Sequence, residues 1–277
     1  MIIFKDIISS RSNPTVKWVA SLSDKKGRYE NSAFIAEGEK LTFEALDHGL
    51  PVTHIFLAES KSAKYLSKIN KYENNELYEK CQVITLSNSA FEKISTEKAP
   101  QGIISVIKYL DFFRNMDIIY KEEFFISEDE RALALYSLRD PSNLGAVIRS
   151  AVAFGVNHIV LTSDSADIYN PKTVRAAMGT IFKIRVTIVS DFASFVDAAR
   201  ACGRRIFAAE LSDNAKSIKD VGVLKSDIFV IGNEGHGIDA EISSKCTASV
   251  FIPISAKAES LNASVAAAVF MWEQNSL

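Results

Sequence analysis

Residues 131–163, RALALYSLRDPSNLGAVIRSAVAFGVNHIVLTS, contain the pattern that decides the fold. Their two ends, RALALYSL and HIVLTS, are continuous apolar runs, which is typical of strands buried on both faces. The segment between them has apolar residues at helical spacing, with Asn143 expected to cap the helix and Gly155 expected to end it. A strand, a helix and a second strand in succession predict a mostly parallel α/β sheet covered by helices on both faces.

The same alternation continues to the end of the chain and is also present, on a smaller scale, before residue 108. Downstream, NPKTVRAAMG and DFASFVDAARACG read as helices, KIRVTIVS, RIFAAEL, DIFVIG and ASVFIPI as strands, and SLNASVAAAVFMWEQN as the last helix. We therefore expect a small α/β domain over residues 1–108, an acidic linker over 109–130 and a parallel α/β domain over 131–277. Ligands of such a sheet bind at the carboxyl ends of its strands.

Composition restricts the class of protein. The chain has 277 residues, 47% of them hydrophobic, and a net charge of −2, so it is globular and not basic as a whole. Its cysteines, Cys81, Cys202 and Cys246, are scattered and odd in number, which argues against a disulfide framework and against a zinc site. No apolar run reaches the roughly 18 residues of a membrane helix. The apolar stretch at the start of the sequence is too short for the hydrophobic region of a signal peptide. These features predict a cytoplasmic protein without a metal.

Charge is distributed unevenly along the chain. Residues 11–28 carry five basic residues against one acid, and residues 109–130 carry seven acids against two bases. A local basic patch is the usual electrostatic footprint of nucleic-acid binding, and the acidic stretch would avoid RNA. The basic residues of the first stretch are Arg11, Lys17, Lys25, Lys26 and Arg28.

Two arginines lie among small and apolar residues of predicted helices. With Leu144 placed at 0°, Arg149 falls at about 140°, off the buried stripe of its helix. It is therefore either an ordinary surface residue or a cation that faces a polar site. Arg175 in NPKTVRAAMGTIF has the same ambiguity, and a solvated helix face is the simpler interpretation there.

The loop IGNEGHGI, residues 231–238, follows the apolar run DIFV. It is not a Walker loop, because no Gly-Lys-Ser/Thr follows. It is not a dinucleotide fingerprint either, because its glycines stand in the reverse order and no clear helix follows them. A hairpin turn remains possible, but such a turn needs only one or two glycines. The additional glycine beside Asn233 and Glu234 favours close approach of the backbone to a ligand.

The last distinctive stretch is FIPISAKAESLNASVAAAVFMW, residues 251–272. Ser260 or Asn262 can cap its helix, and the alanine-rich helix allows a neighbour to pack closely. It is either a plain core helix or a helix that lies against a ligand and a second subunit.

Taken together, these stretches resemble the motifs of the SpoU (TrmH) family of SPOUT methyltransferases. RDPSNLGAVIRSAVAFG resembles the first motif, FVIGNEGHGI the second and IPISAKAESLNASVAAA the third, and they occur in order over residues 131–277. NPKTVRAAMGTIF matches a further stretch between the first two. Two departures, IPIS in place of Ile-Pro-Met and Ala263 in place of valine, bear on the shape of the pocket. The stretch over residues 8–46 also resembles the family's substrate-binding domain, which is similar to a small RNA-binding ribosomal protein.

The resemblance implies a deep trefoil knot, a homodimer formed through the C-terminal domain, and S-adenosylmethionine as the cofactor. It implies that the loop 232–237 and the segment 252–262 wrap the cofactor. The implied cofactor-binding residues are Gly232, Asn233, Glu234, Gly237, Ile252, Pro253, Ser260 and Leu261.

The implied reaction is methyl transfer to a ribose 2′-hydroxyl of RNA, with ribosomal RNA favoured over transfer RNA. Arg149 is the implied catalytic residue, acting either as a base or as a cation that holds phosphate and stabilises the developing alkoxide. The other implied catalytic residues are Asn143, Glu234, Ser260 and Asn262. Contacts with RNA are expected from the five basic residues of the 11–28 stretch, from Arg149 and from Arg175.

A different class of function remains open at this point. A protein with the same fold could be a non-catalytic RNA-binding or ribosome-assembly factor. Retention of Arg149, Glu234, Ser260 and Asn262 favours the enzyme. A nicotinamide-dependent oxidoreductase is poorly supported, because neither α/β segment begins with a dinucleotide fingerprint.

Overall fold

The computed structural model describes residues 2–275. The strands are β1 (Ile3–Ile8), β2 (Ala33–Glu37), β3 (Val52–Ala58), β4 (Gln82–Leu86), β5 (Ile103–Lys108), β6 (Phe113–Met116), β7 (Ala132–Leu135), β8 (His158–Thr162), β9 (Arg185–Val189), β10 (Ile206–Ala209), β11 (Lys216–Ser217), β12 (Ile228–Ile231) and β13 (Ala248–Phe251). The helices are α1 (Pro14–Ser21), α2 (Lys25–Asn31), α3 (Glu39–Asp47), α4 (Ser62–Ile69), α5 (Asn88–Ile94), α6 (Pro141–Ala153), α7 (Pro171–Ala177), α8 (Phe192–Ala201), α9 (Ala240–Lys245) and α10 (Ala263–Asn275).

The chain divides into two compact units. One comprises Met1–Leu110 with Asp167–Phe182, and the other comprises Asp111–Ala166 with Lys183–Leu277. Over residues 2–275 the strands form a five-stranded sheet in the first unit and an eight-stranded sheet in the second.

The first unit has a mixed sheet with the order β1-β4-β3-β5-β2. Strands β1, β3 and β4 run parallel to one another, and β5 pairs antiparallel with β2 and β3. Its core joins apolar residues of α1 and α5 to the sheet, for example Val16, Phe91 and Ile104. Asn13 caps α1 by accepting from the backbone N–H of Thr15, and Pro14 stands at the first helical position, where it is tolerated. The helix predicted over NPTVKWVASL is thus observed.

The second unit has an entirely parallel sheet with the order β11-β13-β10-β12-β7-β8-β9-β6. Strands β7, β8 and β12 are fully buried, as continuous apolar strands between two helical layers should be. The parallel α/β fold predicted for this part of the chain is confirmed. A knotted path of the backbone stays a prediction.

The segment expected to be a linker contributes structure to the second unit. Residues Phe113–Met116 form β6, which pairs with β9 at the edge of the parallel sheet. An additional strand not foreseen from the sequence, β1, pairs with β4 at the edge of the first sheet. Both are short edge strands with exposed residues. Their sequences lack the regular alternation of apolar and polar residues by which a strand is recognised.

Residues Asp167–Phe182 belong to the first unit, although the sequence analysis assigned them to the C-terminal domain. The reason lies in specific contacts: the ring of Tyr169 stacks on that of Tyr109 at 4.1 Å, and Asp167 binds Arg28. The limits of the functional domains themselves stay a prediction.

Candidate active site

Four neighbouring strands of the parallel sheet deliver their carboxyl-terminal loops to one edge. In the order β13, β10, β12 and β7, they are adjacent in the sheet, so the loops that follow them meet. A cavity of about 580 Å³ lies there, within the size range of small-molecule sites. Its walls come from residues 209–211, the loop after β12, residues 250–263 and the inner side of α10.

The loop after β12 is a closed turn that also forms a wall of the cavity. Asn233 and Gly237 exchange backbone hydrogen bonds of 2.9 and 3.0 Å. A Cβ at Gly232 would lie 2.6 Å from the carbonyl carbon of Gly237, and Gly237 has a φ of +74°. The first glycine therefore permits close approach and the last permits a left-handed backbone, which explains two of the three glycines. The short helix α9 follows this loop, whereas the sequence indicated no clear helix there.

Asn233 fixes this turn to the neighbouring strand. Its Oδ1 accepts from the backbone N–H of Gly235 at 2.7 Å, and its Nδ2 donates to the carbonyl of Ser137 at 2.7 Å. Ser137 follows β7 and has a φ of +54°, a conformation that costs energy for a residue with a side chain. The structure thus holds the loops after β7 and β12 together through one amide group.

Asn143 is not the N-cap of α6, which corrects the expectation from the sequence. The helix begins at Pro141, and Asp140 caps it by accepting from the backbone N–H groups of Ser142 and Asn143 at 2.7 and 2.9 Å. Proline at the first helical position is the signal that places the cap one residue earlier, at Asp140. As a result the side chain of Asn143 is free to serve the site.

The side chains of Asn143, Glu234 and Asn262 form a hydrogen-bonded chain. Asn143 Nδ2 donates to Glu234 Oε1 at 2.9 Å, and Asn143 Oδ1 accepts from Asn262 Nδ2 at 3.1 Å. Asn262 Oδ1 also caps α10 by accepting from the backbone N–H of Ser264 at 2.9 Å. One residue from each of the three sequence motifs therefore meets at a single point on the edge of the sheet.

Arg149 lies on the exposed side of α6, as its helical position predicts. The buried side of the same helix carries Leu144, Val147, Ile148 and Ala151. Within residues 2–275 the guanidinium has no hydrogen bond or ion pair, and Arg149 is not among the residues that line the cavity. The structure thus brings Asn143, Glu234 and Asn262 together and leaves Arg149 free to contact a further molecule.

The cavity contains every residue expected to bind the cofactor. Its lining includes Gly232, Asn233, Glu234, Gly237, Ile252, Pro253, Ser260 and Leu261. Ser260, also expected to be catalytic, is exposed two residues before Asn262. The structure assembles these positions in one place, and the role of each stays a prediction.

The charge of the cavity identifies the kind of ligand that it suits. Carboxylates of Glu210, Glu234 and Glu259 line it, and its described lining includes no lysine or arginine. Such walls disfavour a phosphate group and favour a ligand with net positive charge. S-adenosylmethionine carries a sulfonium, an ammonium and one carboxylate, so the residues present fit its charge.

Two residues of the site were not foreseen, Glu210 and Arg139. Glu210 directly follows β10 and lines the cavity. Arg139 follows β7, where its Nε lies 3.1 Å from Ser137 Oγ and its Nη2 lies 2.6 Å from Asp164 Oδ2. An acid placed directly after a buried strand of a parallel sheet was the available signal for Glu210.

Two ionisable groups beside the site have shifted pKa values. Burial, together with the hydrogen bond to Asp239, raises the pKa of Tyr136 to about 12, so this phenol is a neutral donor near pH 7. Burial would raise the pKa of Asp164, but the hydrogen bond from Ser137 and the charge of Arg139 outweigh it, and the pKa is lowered. Neither group is therefore suited to act as a general base near neutral pH.

Arg28 does not belong to an RNA-binding surface, which corrects the sequence expectation. It is only 1% exposed, and its guanidinium binds Asp167 through Nε at 3.1 Å and the carbonyl groups of Leu22 and Ser23 at 3.0 and 2.7 Å. Its positive charge is paired with Asp167 within the first unit. Counting charges along the sequence could not reveal this, because Asp167 lies 139 residues away.

The other basic residues of that stretch are exposed. Arg11, Lys17, Lys25 and Lys26 all face solvent, and Lys26 forms a weak ion pair with Glu30 at 3.8 Å. Arg175 is about 41% exposed and pairs with Glu97. These side chains are available for phosphate contacts, and their binding to RNA stays a prediction.

Three further observations concern metals, cysteines and membranes. No group of three or more His, Cys, Asp or Glu that could hold a metal ion occurs within residues 2–275. Cys81 and Cys246 are buried and free. Across the same residues, every helix is too short or too polar to cross a membrane.

Comparison with known proteins relates this geometry to a family. Residues 130–272 match the family described as SpoU rRNA Methylase, and residues 13–105 match the MRM3-like substrate binding domain. A 23S rRNA (guanosine(2553)-2′-O)-methyltransferase of Bacillus subtilis is 30% identical, covering 96% of this chain and 97% of its own. A 23S rRNA (uridine(2479)-2′-O)-methyltransferase of Streptomyces viridochromogenes is 26% identical, covering 96% and 90%.

A solved structure agrees over nearly the whole length. The AdoMet-bound rRNA methyltransferase from Sinorhizobium meliloti superimposes with a TM-score of 0.81 at 26% identity and covers 99% of this chain and 98% of its own. The matched motifs, the parallel sheet and the shared N-terminal domain confirm the resemblance read from the sequence. The chain belongs to the SpoU rRNA methylase family.

Proposed function

We propose that this protein transfers a methyl group from S-adenosylmethionine to a ribose 2′-hydroxyl of ribosomal RNA. The observation that carries the proposal is the hydrogen-bonded chain of Asn143, Glu234 and Asn262 beside an acid-lined cavity at the carboxyl edge of the sheet. Relatives in Bacillus subtilis and Streptomyces viridochromogenes are named as 2′-O-methyltransferases of 23S rRNA, which favours ribosomal RNA over transfer RNA.

The cavity residues bind and orient the cofactor in this proposal. When bound, S-adenosylmethionine supplies an electrophilic methyl group on a positively charged sulfur. The absence of a side chain at Gly232 lets the loop close on the backbone of Gly237 and so form this wall of the cavity, and the carboxylates of the lining favour the charge of the cofactor. Apolar groups of Ile252 and Leu261 exclude water from the same space.

Arg149 acts on the RNA side of the reaction. A ribose hydroxyl is a weak nucleophile, and placement in line with the methyl group lowers the barrier to its attack. Because arginine keeps its proton in proteins, we assign Arg149 the role of a cation that holds an RNA phosphate and stabilises the developing alkoxide. The hydroxyl proton is released to solvent as the O–CH₃ bond forms and the S–CH₃ bond breaks. Asn143 and Glu234, which are hydrogen-bonded to each other, orient the loops around that hydroxyl.

The first unit supplies the electrostatic contact with RNA. Exposed Arg11, Lys17, Lys25 and Lys26 lie within 16 residues of one another and gain affinity by releasing counterions from the RNA backbone. The buried free thiols of Cys81 and Cys246 and a ribosomal substrate are consistent with a protein that acts in the cytoplasm.

The chain also forms a homodimer through its second unit in this proposal. Helix α10 exposes Val265 and Trp272, which are seven residues apart and so lie on the same side of the helix. The Trp272 ring contacts Phe154 at the end of α6, which extends this apolar surface. Sedimentation equilibrium should give a dimer that Trp272→Glu converts to a monomer; a monomeric wild-type protein at micromolar concentration would contradict this assignment.

The decisive experiment methylates RNA in vitro. Unmodified ribosomal RNA and transfer RNA are incubated separately with labelled S-adenosylmethionine, and the modified ribose is mapped by its resistance to alkaline cleavage. We expect one protected position in ribosomal RNA and none with Arg149→Ala. Incorporation of label into transfer RNA alone would mean that transfer RNA, and not ribosomal RNA, is the substrate. Tight RNA binding without cofactor binding would instead indicate a non-catalytic RNA-binding factor.

A further inference from the structure

Glu210 lines the cavity at the carboxyl edge of the parallel sheet. It directly follows Ala209, the last residue of β10, and Ala209 is in register with Ile231 of β12. Glu210 therefore stands beside Gly232 across the sheet, and its backbone N–H donates to the carbonyl of Val250 on β13 at 3.0 Å. It lies between the two strands that lead into the loop 232–237 and the segment 252–262.

Two serines fix the carboxylate of Glu210. Ser249 Oγ, from β13, donates to Glu210 Oε1 at 2.6 Å, and Ser243 Oγ, from α9, donates to the same oxygen. Within residues 2–275 no hydrogen bond reaches Oε2. One oxygen is thus held by the protein, and the other is left for a ligand in the cavity that Glu210 lines.

Two other polar side chains of the cavity, Glu234 and Asn233, are already engaged. Glu234 accepts from Asn143 through Oε1 and from the backbone N–H of Arg139 through Oε2. The amide of Asn233 is occupied by Ser137 and by its own loop. Glu259 is exposed. The second oxygen of Glu210 is therefore an unclaimed acceptor in the wall of the cavity, and a ligand that brings a hydrogen-bond donor can use it.

We propose that Glu210 binds the ribose hydroxyls of S-adenosylmethionine. The proposal rests on the proposed function, since it assumes that this cofactor fills the cavity. The vicinal hydroxyls place two donors side by side, and one carboxylate oxygen has two lone-pair sites to accept them. The serine hydroxyls leave the second oxygen of the carboxylate as the acceptor for these two donors. Dinucleotide-binding sheets use an acid in the same way at a strand's carboxyl end.

The test compares ligands as well as variants. Dissociation constants for adenosine, 2′,3′-dideoxyadenosine and S-adenosylhomocysteine are measured by competition against S-adenosylmethionine, for the wild type, Glu210→Ala and the control Glu241→Gln, an exposed acid of α9 outside the cavity lining. We expect Glu210→Ala to weaken S-adenosylmethionine and adenosine by about 10- to 100-fold, as for loss of hydrogen bonds to a charged acceptor. It should leave the affinity for 2′,3′-dideoxyadenosine unchanged, and Glu241→Gln should change none of these constants by more than about twofold.

The ligand comparison separates this role from its alternatives. Equal weakening of adenosine and 2′,3′-dideoxyadenosine by Glu210→Ala would overturn the proposal. So would a loss for S-adenosylmethionine that greatly exceeds the loss for S-adenosylhomocysteine, because that would place the sulfonium beside Glu210. If Glu210→Ala fails to fold, the wild type is sufficient for the test, because equal affinity for adenosine and 2′,3′-dideoxyadenosine would overturn the proposal. A wild type that binds no S-adenosylmethionine would instead reject the proposed function and this inference with it.

Discussion

The polar side chains at the two ends of the parallel sheet differ in how far they are buried. At the amino end, Glu130 precedes β7, His158 begins β8 and Arg185 begins β9. His158 Nδ1 lies 3.1 Å from Glu130 Oε1, its Nε2 lies 2.8 Å from Thr187 Oγ1, and Arg185 pairs with the same carboxylate. Glu130 and His158 are buried, and Arg185 covers the carboxylate of Glu130 from the exposed side.

At the carboxyl end the polar groups are held but remain accessible. Asn143 and Asn262 hydrogen-bond to each other at the exposed edge of a cavity. Arg149 is exposed and free of partners within residues 2–275. A polar group that is satisfied and buried stabilises the fold, whereas one that is oriented but accessible can bind. The comparison therefore predicts that substitutions at the amino end change stability and substitutions at the carboxyl end change binding and transfer.

Replacement of Arg149 should have the largest effect on transfer. We expect Arg149→Ala to lower the single-turnover rate by about 1000-fold, the upper range for loss of one oxyanion-stabilising group. Affinity for S-adenosylmethionine should change by less than about twofold, because Arg149 does not line the cavity. Arg114→Ala, an exposed arginine on edge strand β6, is the matched control and should keep full activity. Substantial turnover by Arg149→Ala would remove it from catalysis.

Gly232 and Gly235 lie in the same loop, but we expect the site to require a glycine only at Gly232. A Cβ at Gly232 would lie 2.6 Å from the backbone of Gly237, while a Cβ at Gly235 would lie 3.4 Å from Asn233 Oδ1, an ordinary contact. We expect Gly232→Ala to weaken S-adenosylmethionine by about 100-fold or more and Gly235→Ala by less than about threefold, measured by isothermal titration calorimetry. Equal effects would mean that the loop is only a turn.

Glu130→Gln tests the amino end. Loss of the carboxylate that meets His158 and Arg185 should lower the free energy of unfolding by about 2 kcal/mol in urea denaturation. Cofactor affinity should stay within about twofold of the wild type. A loss of cofactor binding without a loss of stability would contradict the division between the two ends.

The pH dependence of stability follows from the same carboxylate. Burial would raise the pKa of Glu130, but the hydrogen bond from His158 and the charge of Arg185 outweigh it, so the folded-state pKa lies below its ordinary value of 4.5. A lowered pKa stabilises the fold above about pH 4.5, and this contribution is lost as the pH falls through the folded-state value. The stability difference between the wild type and Glu130→Gln should therefore shrink in acid. A constant difference down to about pH 2 would contradict this assignment.

The smallest effect is expected in the first unit. Replacing both Lys25 and Lys26 with Ala should weaken RNA binding several-fold at moderate salt and reduce the slope of log K against log[salt] by about 1.4 to 1.8. Arg28→Ala is the informative contrast, because its buried ion pair with Asp167 should affect stability and leave that slope unchanged. An unchanged slope in the double lysine variant would place the RNA surface elsewhere.

Much of the site could be read from the sequence because each motif follows a buried apolar strand. Strands β7, β12 and β13 are recognisable as apolar runs, and parallel strands bring their carboxyl ends to one edge. Asn143, Glu234 and Asn262 could therefore be expected to meet, as they do.

The remaining features depend on contacts between residues far apart in the chain. Arg28 looks like a surface cation until Asp167 is placed beside it. Glu210 looks like an ordinary acid until Ser243 and Ser249 converge on one of its oxygens. The N-cap of α6 was a local error, since Pro141 already indicated Asp140.

If the carboxyl end of the parallel sheet binds S-adenosylmethionine, isothermal titration of this compound into the wild-type protein should show it. We expect one site per chain with a Kd on the order of 1–100 µM, comparable to ordinary KM values. We expect the same constant for Glu130→Gln and a lost signal for Gly232→Ala. No binding by folded wild-type protein at millimolar ligand, or binding unaffected by Gly232→Ala, would contradict a cofactor site at this end of the sheet.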